Sequence, residues 1–179
     1  MMKNISLTLF SILLILAFTG CSKKENSAAT VYEFQLKDGW VVESSAKTAA
    51  TGAEISKPGF DISGWYRTSV PSTVMAALIA NGEYPDIFMG DNINKVDTSR
   101  FASSWWYRNE FKIEKKTNTE LIFEGINYRA NIWLNGKQVT SADTLFGGFR
   151  IFKLDVTGFI KKGRNILAVE VFKPRPDEP

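Results

Sequence analysis

The sequence predicts an all-β protein, an antiparallel β-sandwich with one short helix. Residues 105–113 (WWYRNEFKI) alternate between apolar and polar side chains, as a half-buried strand does. Asn135-Gly136 directly follows another alternating run, and this pair is the strongest short hairpin signal because both turn residues must accept positive φ. Strand patterns of about 5–9 residues recur between turn residues, which favours an antiparallel sandwich over a parallel α/β sheet.

The first element in chain order is the helix, which the sequence predicts at residues 71–81 (PSTVMAALIAN). The segment holds good helix formers, Ser69 or Ser72 can serve as its N-cap, and Gly82 supplies the stop. Because so short a helix cannot stand alone, we expect it to pack over one end of the sandwich. Residues 84–104 have few alternating apolar side chains and predict a long surface loop, a feature that is usually functional or an edge insertion.

The strand at residues 105–113 opens the second half of the chain. Trp105 lies on its apolar face with Phe111 and Ile113, whereas Trp106 lies on the opposite, polar face. The further predicted strands are residues 121–124, 130–134, 137–139, 152–156 and 166–172. Gly125 closes the first of these, and a turn centred on Gly163 precedes the last.

The first twenty residues predict a targeting signal. Lys3 supplies positive charge, and a mostly apolar run over residues 5–18 has the length of a signal h-region, shorter than the roughly 20 residues of a membrane span. Cys21 follows two small residues, so the segment is similar to a bacterial lipoprotein signal whose cysteine is lipidated. A plain secretory signal with an unmodified cysteine is the alternative.

The chain therefore divides into three predicted parts. Residues 1–20 are interpreted as a lipoprotein signal peptide, residues 21–30 as a polar tether, and residues 31–179 as the β-sandwich. On this interpretation the protein is exported and held on the membrane by a lipid anchor, at the periplasmic or outer-membrane face.

Composition excludes several kinds of chemistry. The 179 residues contain no histidine, one cysteine and a net charge of +3. Without histidine there is no Ser-His-Asp triad, Cys-His pair or His-ligated zinc, and one cysteine cannot form an internal disulfide. The small charge and scattered lysines predict no nucleic-acid partner. The sequence shows no phosphate loop, dinucleotide fingerprint or metal cluster, so we expect neither a cofactor nor a metal.

Four residues are candidates for contact with a ligand or with another domain: Trp106, Trp133, Asn127 and Tyr128. Trp106 is either covered by the 84–104 loop or a neighbouring domain, or it presents its ring to a ligand. Trp133 has the same ambiguity, since its face also carries asparagines. Asn127 and Tyr128 form a polar connection between two strands, which offers hydrogen bonds to a ligand or simply joins the strands.

No catalytic residue is assigned. Asp86 and Asp91 lie in a polar loop, Glu110 alternates with basic residues, and Glu124 ends a strand. Catalysis by a pair of carboxyl groups, one of which acts as a nucleophile, needs the two about 5–5.5 Å apart. Nothing in the pattern places any of these four side chains in a desolvated cleft, and solvated carboxylates are favoured.

Separated sequence blocks form an ordered pattern over residues 39–176. The blocks are Trp65 with VPSTV at 70–74, Leu78 and NG-YPD at 81–86, WWYR at 105–108, and the runs 123–136 and 155–171. In this order they resemble the N-terminal domain of glycoside hydrolase family 2, in the exo-β-D-glucosaminidase and β-mannosidase branch. The motifs are specific for the domain and much less specific for the substrate.

The resemblance implies a jelly-roll sandwich of the galactose-binding-domain-like type, called the sugar-binding domain in that family. There it is followed by an immunoglobulin-like domain and a (β/α)8 barrel that carries two catalytic glutamates of a retaining mechanism. The barrel is absent from this sequence, so the resemblance implies a truncated sandwich without hydrolase activity of its own. The implied partners are those downstream domains and an oligosaccharide with terminal β-linked glucosamine or mannose. On this resemblance, the ligand of the four candidate residues, Trp106, Trp133, Asn127 and Tyr128, would be carbohydrate.

Two other functions remain open at this stage. One is a free-standing carbohydrate-binding lipoprotein without hydrolase activity. The other is a structural surface protein with no ligand.

Overall fold

Most of the regular structure is β-strand, arranged in two antiparallel sheets. The computed structural model describes residues 31–176, of which residues 31–33 carry no regular structure and residues from Phe34 onward form a separate compact unit. The predicted signal peptide, the predicted lipidation site Cys21 and the tether lie outside the described residues. No helix among residues 31–176 is long and apolar enough to cross a membrane.

The described residues contain eight strands and two α-helices. The strands are β1 (Trp40–Ser44), β2 (Tyr66–Thr68), β3 (Trp105–Ile113), β4 (Glu120–Phe123), β5 (Arg129–Leu134), β6 (Lys137–Thr140), β7 (Phe152–Asp155) and β8 (Gly163–Phe172). The helices are α1 (Gly52–Ile55) and α2 (Val74–Ala80). Six strands form one sheet in the order β2-β1-β3-β8-β5-β6, and β4 pairs with β7 in the second. The predicted antiparallel β-sandwich is confirmed.

The main core fills the space between the two sheets and α2. Trp105, Ile132 and Leu167 are buried on the inner face of the large sheet, and Leu121 and Leu154 of the small sheet pack against them. Trp105 thus lies on the core side, as the alternation predicts. Each fully buried Leu or Ile side chain contributes about 1.5–3 kcal/mol, so this layer holds the two sheets together.

Helix α2 begins later than the sequence predicts. Its N-cap is Thr73, whose side chain accepts a hydrogen bond from the Ala76 amide at 3.1 Å, rather than Ser69 or Ser72. The cap must directly precede the first helical residue in an extended conformation, and Thr73 has φ −86° and ψ 159°. The stop at Gly82 is confirmed, with φ +81°.

The hairpin between β5 and β6 follows the prediction. Asn135 and Gly136 have φ of +55° and +85°, which the two-residue turn requires. Leu134 lies opposite Lys137 across the turn. The 84–104 connection also follows the prediction, with two 3-10 turns (Asn92–Lys95 and Thr98–Phe101) and no strand or α-helix.

The outer face of the large sheet is covered by α1, which the sequence pattern did not indicate. Ile55 of α1 is fully buried against Trp106 and Ala168. Arg108 of β3 donates from Nε to the Ile55 carbonyl at 2.9 Å, at the end of the helix. Ser56 accepts a hydrogen bond from the Gly136 amide at 2.9 Å. The central strands are therefore covered on both faces.

Candidate functional site

The strand register gathers three connections at one end of the sandwich. Trp105, the first residue of β3, lies opposite Val171 near the end of β8, and Arg129, the first residue of β5, lies opposite Phe172. In the small sheet, the last residue of β4 lies opposite the first residue of β7. The segments before β3, β5 and β7 therefore share one end. We call residues 84–104, 124–128 and 141–151 the loop end.

A cleft of about 440 Å³ opens at the loop end. It is lined by Asn127, Tyr128, Phe146, Gly147, Gly148, Phe149 and Arg150. Of these lining residues, Tyr128 is only 9% exposed, whereas Asn127 is exposed. The structure thus brings together two of the four predicted contact residues. Their aromatic neighbours Phe146 and Phe149 were not assigned to a site from the sequence.

The loop carrying Phe146 and Phe149 is tied to the strands beneath it. Phe146 bridges to Arg129 at the start of β5, and the Gly147 amide donates to the Tyr128 carbonyl at 2.9 Å. Arg150 donates from Nη1 to the Phe146 carbonyl at 3.0 Å, with its guanidinium 5.3 Å from the ring centre of Phe152. These contacts fix the loop without a regular element. Gly147 and Gly148 lie at the centre of this loop.

The backbone conformation and the close packing at Gly147 exclude a residue with a side chain. Its φ is +117°, in a region that L side chains rarely adopt. A Cβ there would lie 2.6 Å from Cδ of Arg150. The glycine therefore lets the Arg150 side chain cross the loop.

Phe149 projects from this loop into solvent. Its relative exposure is 109% and its φ is +57°. A left-handed backbone costs a non-glycine residue roughly 1–2 kcal/mol, and an exposed phenyl ring gains nothing from packing. The loop thus holds an aromatic ring outward in a strained conformation, which is a common property of binding sites.

A second, smaller cleft lies in the 84–104 connection. Its volume is about 240 Å³, and it is lined by Glu83, Tyr84, Pro85, Ile87, Asn92, Lys95 and Val96. Three large apolar side chains of the same connection are exposed to solvent: Phe88, Met89 and Ile93.

Arg100 holds the 84–104 connection against β2. Its Nη1 donates to Glu83 at 2.9 Å and to the Tyr84 hydroxyl at 3.1 Å, and its Nη2 donates to the Tyr66 hydroxyl at 3.2 Å. The hydrogen bond from Arg100 keeps the pKa of the Glu83 carboxyl below its ordinary value. The connection is therefore pinned by charge-assisted hydrogen bonds at both of its ends.

The two tryptophan candidates lie elsewhere, beneath α1. Trp106 is 4% exposed and packs with Ile55 and Ala168. The expectation of an exposed ring, or of cover by the 84–104 loop, is therefore wrong. The cover comes from α1 together with Phe60 and Trp65, which meet edge to face with ring centroids 5.9 Å apart.

Trp133 is half-buried in the same cluster. Its Nε1 would lie 2.3 Å from a Cβ built on Gly52. The indole is thus pressed on the backbone of α1, and this ring too does not offer an open platform on that side. Neither tryptophan belongs to the loop end.

The carboxylates considered from the sequence are not gathered into a pair. Asp86, Asp91, Glu110 and Glu124 are all exposed. Glu110 forms an ion pair with Arg164 at 2.9 Å. Among the described residues, no three His, Cys, Asp or Glu side chains are grouped so as to hold a metal ion. The loop end thus offers aromatic and apolar contact surface and a few hydrogen-bonding groups.

The fold is an antiparallel β-sandwich of the galactose-binding-domain-like class. More particularly, the chain belongs to the family described as the glycosyl hydrolase 2 galactose-binding domain-like family, whose model matches residues 40–178. The resemblance inferred from the sequence blocks is confirmed.

Known proteins of this kind are much longer. An exo-beta-D-glucosaminidase from Amycolatopsis orientalis is 37% identical over 140 residues, which cover 78% of this chain and 14% of the relative. A mannosylglycoprotein endo-beta-mannosidase from Lilium longiflorum is 31% identical over 150 residues, 78% of this chain and 15% of the relative. The crystal structure of an exo-chitosanase from A. orientalis superimposes with a TM-score of 0.75 at 35% identity, covering 80% of this chain and 17% of that one. The chain thus spans about one seventh of the curated relatives it matches.

Proposed function

We propose that this chain is the non-catalytic N-terminal sandwich of an exported glycoside hydrolase of family 2. The enzyme would hydrolyse terminal β-linked glucosamine or mannose in oligosaccharides. The observation that carries the proposal is the family match over residues 40–178 of a chain that spans about one seventh of its glucosaminidase relatives. The names of the relatives, glucosaminidases and a mannosidase, support the substrate class.

The chemistry of the loop end supports a role other than bond cleavage. A retaining mechanism needs one carboxyl kept protonated by its surroundings and a second one beside it as the nucleophile. Asp86, Asp91 and Asp97, the carboxylates in the 84–104 connection, are all exposed to water. The sandwich would instead support the catalytic domain and border its substrate entrance.

The test of the non-catalytic role is direct. Purified residues 21–179 are incubated with p-nitrophenyl β-D-glucosaminide and β-D-mannoside, with the A. orientalis enzyme as positive control. We expect no release of nitrophenol above buffer. Hydrolysis that scales with the concentration of the chain would contradict the proposal.

Export and lipid anchoring form a separate part of the proposal. They are supported by the apolar run before Cys21 and by the polar residues that follow it. In a bacterial host, we expect the wild-type chain and a Ser22→Ala control to fractionate with membranes, and Cys21→Ala to leave them. Equal membrane fractions for all three proteins would rule out acylation of Cys21.

A free-standing carbohydrate-binding lipoprotein is the second candidate. The cleft with Asn127, Tyr128 and two exposed phenylalanines favours it, since aromatic faces and amide groups can contact sugar rings. Calorimetry of the isolated chain with chitosan and manno-oligosaccharides separates the two functions. Saturable heats would favour the lipoprotein, and their absence favours the accessory domain.

A further inference from the structure

Four connections meet at the end of the sandwich opposite the loop end. The last residue of β3, Ile113, lies opposite the first residue of β8, Gly163, and the first residue of β4 lies opposite the last residue of β7. The segment before β1 and the β5–β6 turn lie at the same end, since β1 runs antiparallel to β3 and β5 antiparallel to β8. We call residues 34–39, 114–119, 135–136 and 156–162 the basic end.

The two ends of the sandwich carry opposite net charge. The basic end has five lysines and two acidic residues, whereas the loop end has three basic and five acidic residues. The five lysines are all exposed to solvent: Lys37, Lys115, Lys116, Lys161 and Lys162. The strand register thus gathers at one end lysines that are scattered along the sequence.

Two pairs of lysines project from neighbouring turns. Lys115 and Lys116 follow β3, whereas Lys161 and Lys162 precede β8, the strand next to β3 in the sheet. The two turns are tied together, because the Thr119 amide donates to the Thr157 hydroxyl at 2.9 Å. The ion pairs found among the described residues do not involve any of these four lysines. Their charges are therefore available to an external anion.

The turn that carries Lys161 and Lys162 is fixed from beneath. Asn165 is fully buried; its Oδ1 accepts from the Lys161 amide at 2.8 Å, and its Nδ2 donates to the Lys161 carbonyl at 2.7 Å. Asn135 donates to the same Oδ1 at 2.8 Å and to the Phe159 carbonyl at 2.9 Å. The backbone of the turn is therefore ordered before any partner binds, which lowers the entropic cost of binding.

The chain enters the sandwich at the basic end. Phe34 is the first residue of the compact unit and is 55% exposed, with its ring centroid 6.3 Å from that of Phe111 near the end of β3. Phe34 follows Cys21, the predicted lipidation site, by thirteen residues. Such a segment spans at most about 45 Å when fully extended. A lipid on Cys21 would therefore keep the basic end within that distance of a bilayer.

The chemistry of the basic end fits an anionic phospholipid surface. Exposed lysines attract lipid phosphates, and aromatic rings such as that of Phe34 are favoured at the level of the headgroups. Neither of the two clefts described above lies at this end. A broad tip that carries charge on separate turns suits a flat surface rather than a single polymer strand.

We propose that the basic end lies on an anionic phospholipid surface, with Lys115, Lys116, Lys161 and Lys162 on the lipid phosphates and the loop end facing away. This inference rests on the export and lipid anchoring in the proposed function. It adds the face of the sandwich that contacts the bilayer. The contact orients an anchored chain and does not replace the anchor, because exposed charges are strongly screened at physiological salt. Cys21→Ala is therefore still expected to leave the membranes.

The test measures binding of residues 21–179, produced without lipid, to vesicles at low ionic strength. These residues contain the whole compact unit that begins at Phe34. Co-sedimentation compares vesicles of mixed phosphatidylcholine and phosphatidylglycerol with vesicles of phosphatidylcholine alone. The variant is Lys161→Gln/Lys162→Gln. The matched control is Lys95→Gln/Lys173→Gln, which loses the same charge from two exposed lysines outside the basic end.

We expect the wild type to bind only the anionic vesicles and to be released near 1 M salt, where the Debye length falls to about 3 Å. Lys161→Gln/Lys162→Gln should bind at least about five-fold more weakly, the effect of one lysine close to an anionic surface. The control variant should bind as the wild type does. Melting temperatures of all three chains should agree, since the substituted side chains are exposed.

A fluorescent label reports the orientation on the vesicle. It is attached to Gly158→Cys at the basic end or to Gly125→Cys at the loop end, each in a Cys21→Ala chain. Nothing lies within 4 Å of either Cβ position, so both substitutions fit the fold. On anionic vesicles with nitroxide-labelled headgroups, we expect stronger quenching at position 158. Equal or stronger quenching at position 125 would overturn the orientation.

The outcomes separate the docking surface from the proposed function. If the wild type does not bind anionic vesicles, or if the two lysine variants bind equally well, the docking surface is overturned and the proposed function stands. Binding to dextran sulfate but not to vesicles would assign the basic end to a soluble polyanion and likewise overturn it. If fractionation of Cys21→Ala rules out acylation, the anchoring fails, and the inference fails with it.

Discussion

Gly52 shows how one missing side chain determines the fit of a helix. As the first residue of α1, it faces the Trp133 indole, and a Cβ would lie 2.3–2.5 Å from three atoms of that ring. Real Cβ atoms do not approach so closely, so any other residue would push α1 away from the sheet. The outer layer therefore depends on this glycine for space rather than for backbone freedom.

We predict that Gly52→Ala destabilises the protein by about 1–3 kcal/mol, the usual cost of overpacking. Alanine is the better helix former, so a loss can only come from the contact with Trp133. Urea denaturation measures the change. Gly158→Ala is the control, because nothing lies within 4 Å of its Cβ position; equal losses in the two variants would contradict the explanation.

The ionisation of Tyr107 lowers the stability of the folded protein at alkaline pH. Burial raises its pKa to about 12, from 10.0 in an exposed side chain. The unfolded chain loses this proton first, so the contribution is complete below pH 10 and is lost as the pH rises toward 12. At about 1.4 kcal/mol per pKa unit, the loss approaches roughly 3 kcal/mol.

The comparison with Tyr107→Phe isolates this effect from the titration of lysines. The variant lacks the hydrogen bond to the Ser72 carbonyl, so it should be less stable at neutral pH by a constant amount. Between pH 10 and 12, its urea midpoint should fall less steeply than that of the wild type. Parallel curves would show that Tyr107 ionises equally easily in both states.

Trp106 marks the limit of prediction from alternation. The pattern of β3 correctly places Trp105 and Trp106 on opposite faces, but it contains no information about what covers each face. The cover over Trp106 is a four-residue helix, too short for helical periodicity to be visible in the sequence. The sequence thus predicts on which face of β3 the Trp106 ring lies, but not whether that face is buried.

At the scale of elements, α1 is held by side chains of the sheet rather than by its own length. Arg108 donates to the Ile55 carbonyl, and Ser56 joins the Gly136 amide of the β5–β6 turn. A capping box between Thr51 and Glu54 fixes its beginning. Burial lowers the pKa of the Arg108 guanidinium, because it removes the water that solvates the positive charge.

Arg100 holds the 84–104 connection in place by hydrogen bonds, as Arg108 holds α1. We predict that Arg100→Gln accelerates proteolysis within residues 84–104, because three hydrogen bonds to Glu83, Tyr84 and Tyr66 are lost. Limited digestion followed by mass spectrometry locates the cuts. Arg67→Gln, on an exposed residue of β2, is the control; equal digestion of both variants would argue against the pinning role.

The same contact predicts an effect of acid on this loop. Because the pKa of Glu83 is lowered from 4.5, its ion pair contributes fully above that value and is lost as the pH falls through the lowered one. Amide exchange over residues 84–104, corrected for its intrinsic dependence on pH, should therefore rise in acid. The rise should be absent in Arg100→Gln, which has no ion pair to lose.

The elements themselves divide clearly into predictable and unpredictable ones. Strands β3 to β8, helix α2 and the Asn135-Gly136 turn follow from local patterns, since each is set by alternation, by helix formers or by turn residues. Strands β1 and β2 were missed along with α1, because a three-residue strand such as Tyr66–Thr68 has no room for a pattern. Strand β2 forms through its pairing with β1.

At the scale of the whole molecule, the candidate site exists only through the register of the sheets. Residues 84–104 and 141–151 are far apart in sequence, and nothing local indicates that they meet. The pairing of Trp105 with Val171 and of Arg129 with Phe172 brings them to one end. Asn127 and Tyr128 were identified from the sequence as a polar connection, but Phe149 was not, since its exposure depends on the loop that carries it.

The pairing of β3 with β8 determines the order in which the protein unfolds. These strands match over nine positions, and five consecutive residues on each are buried, because both faces of the sheet are covered. Their amides can reach solvent only when the whole sandwich separates, so their exchange free energy equals the global one. The two-stranded sheet of β4 and β7 can come away first. Under force or denaturant, the two-stranded sheet of β4 and β7 should therefore unfold first, and the β3–β8 pair should unfold last.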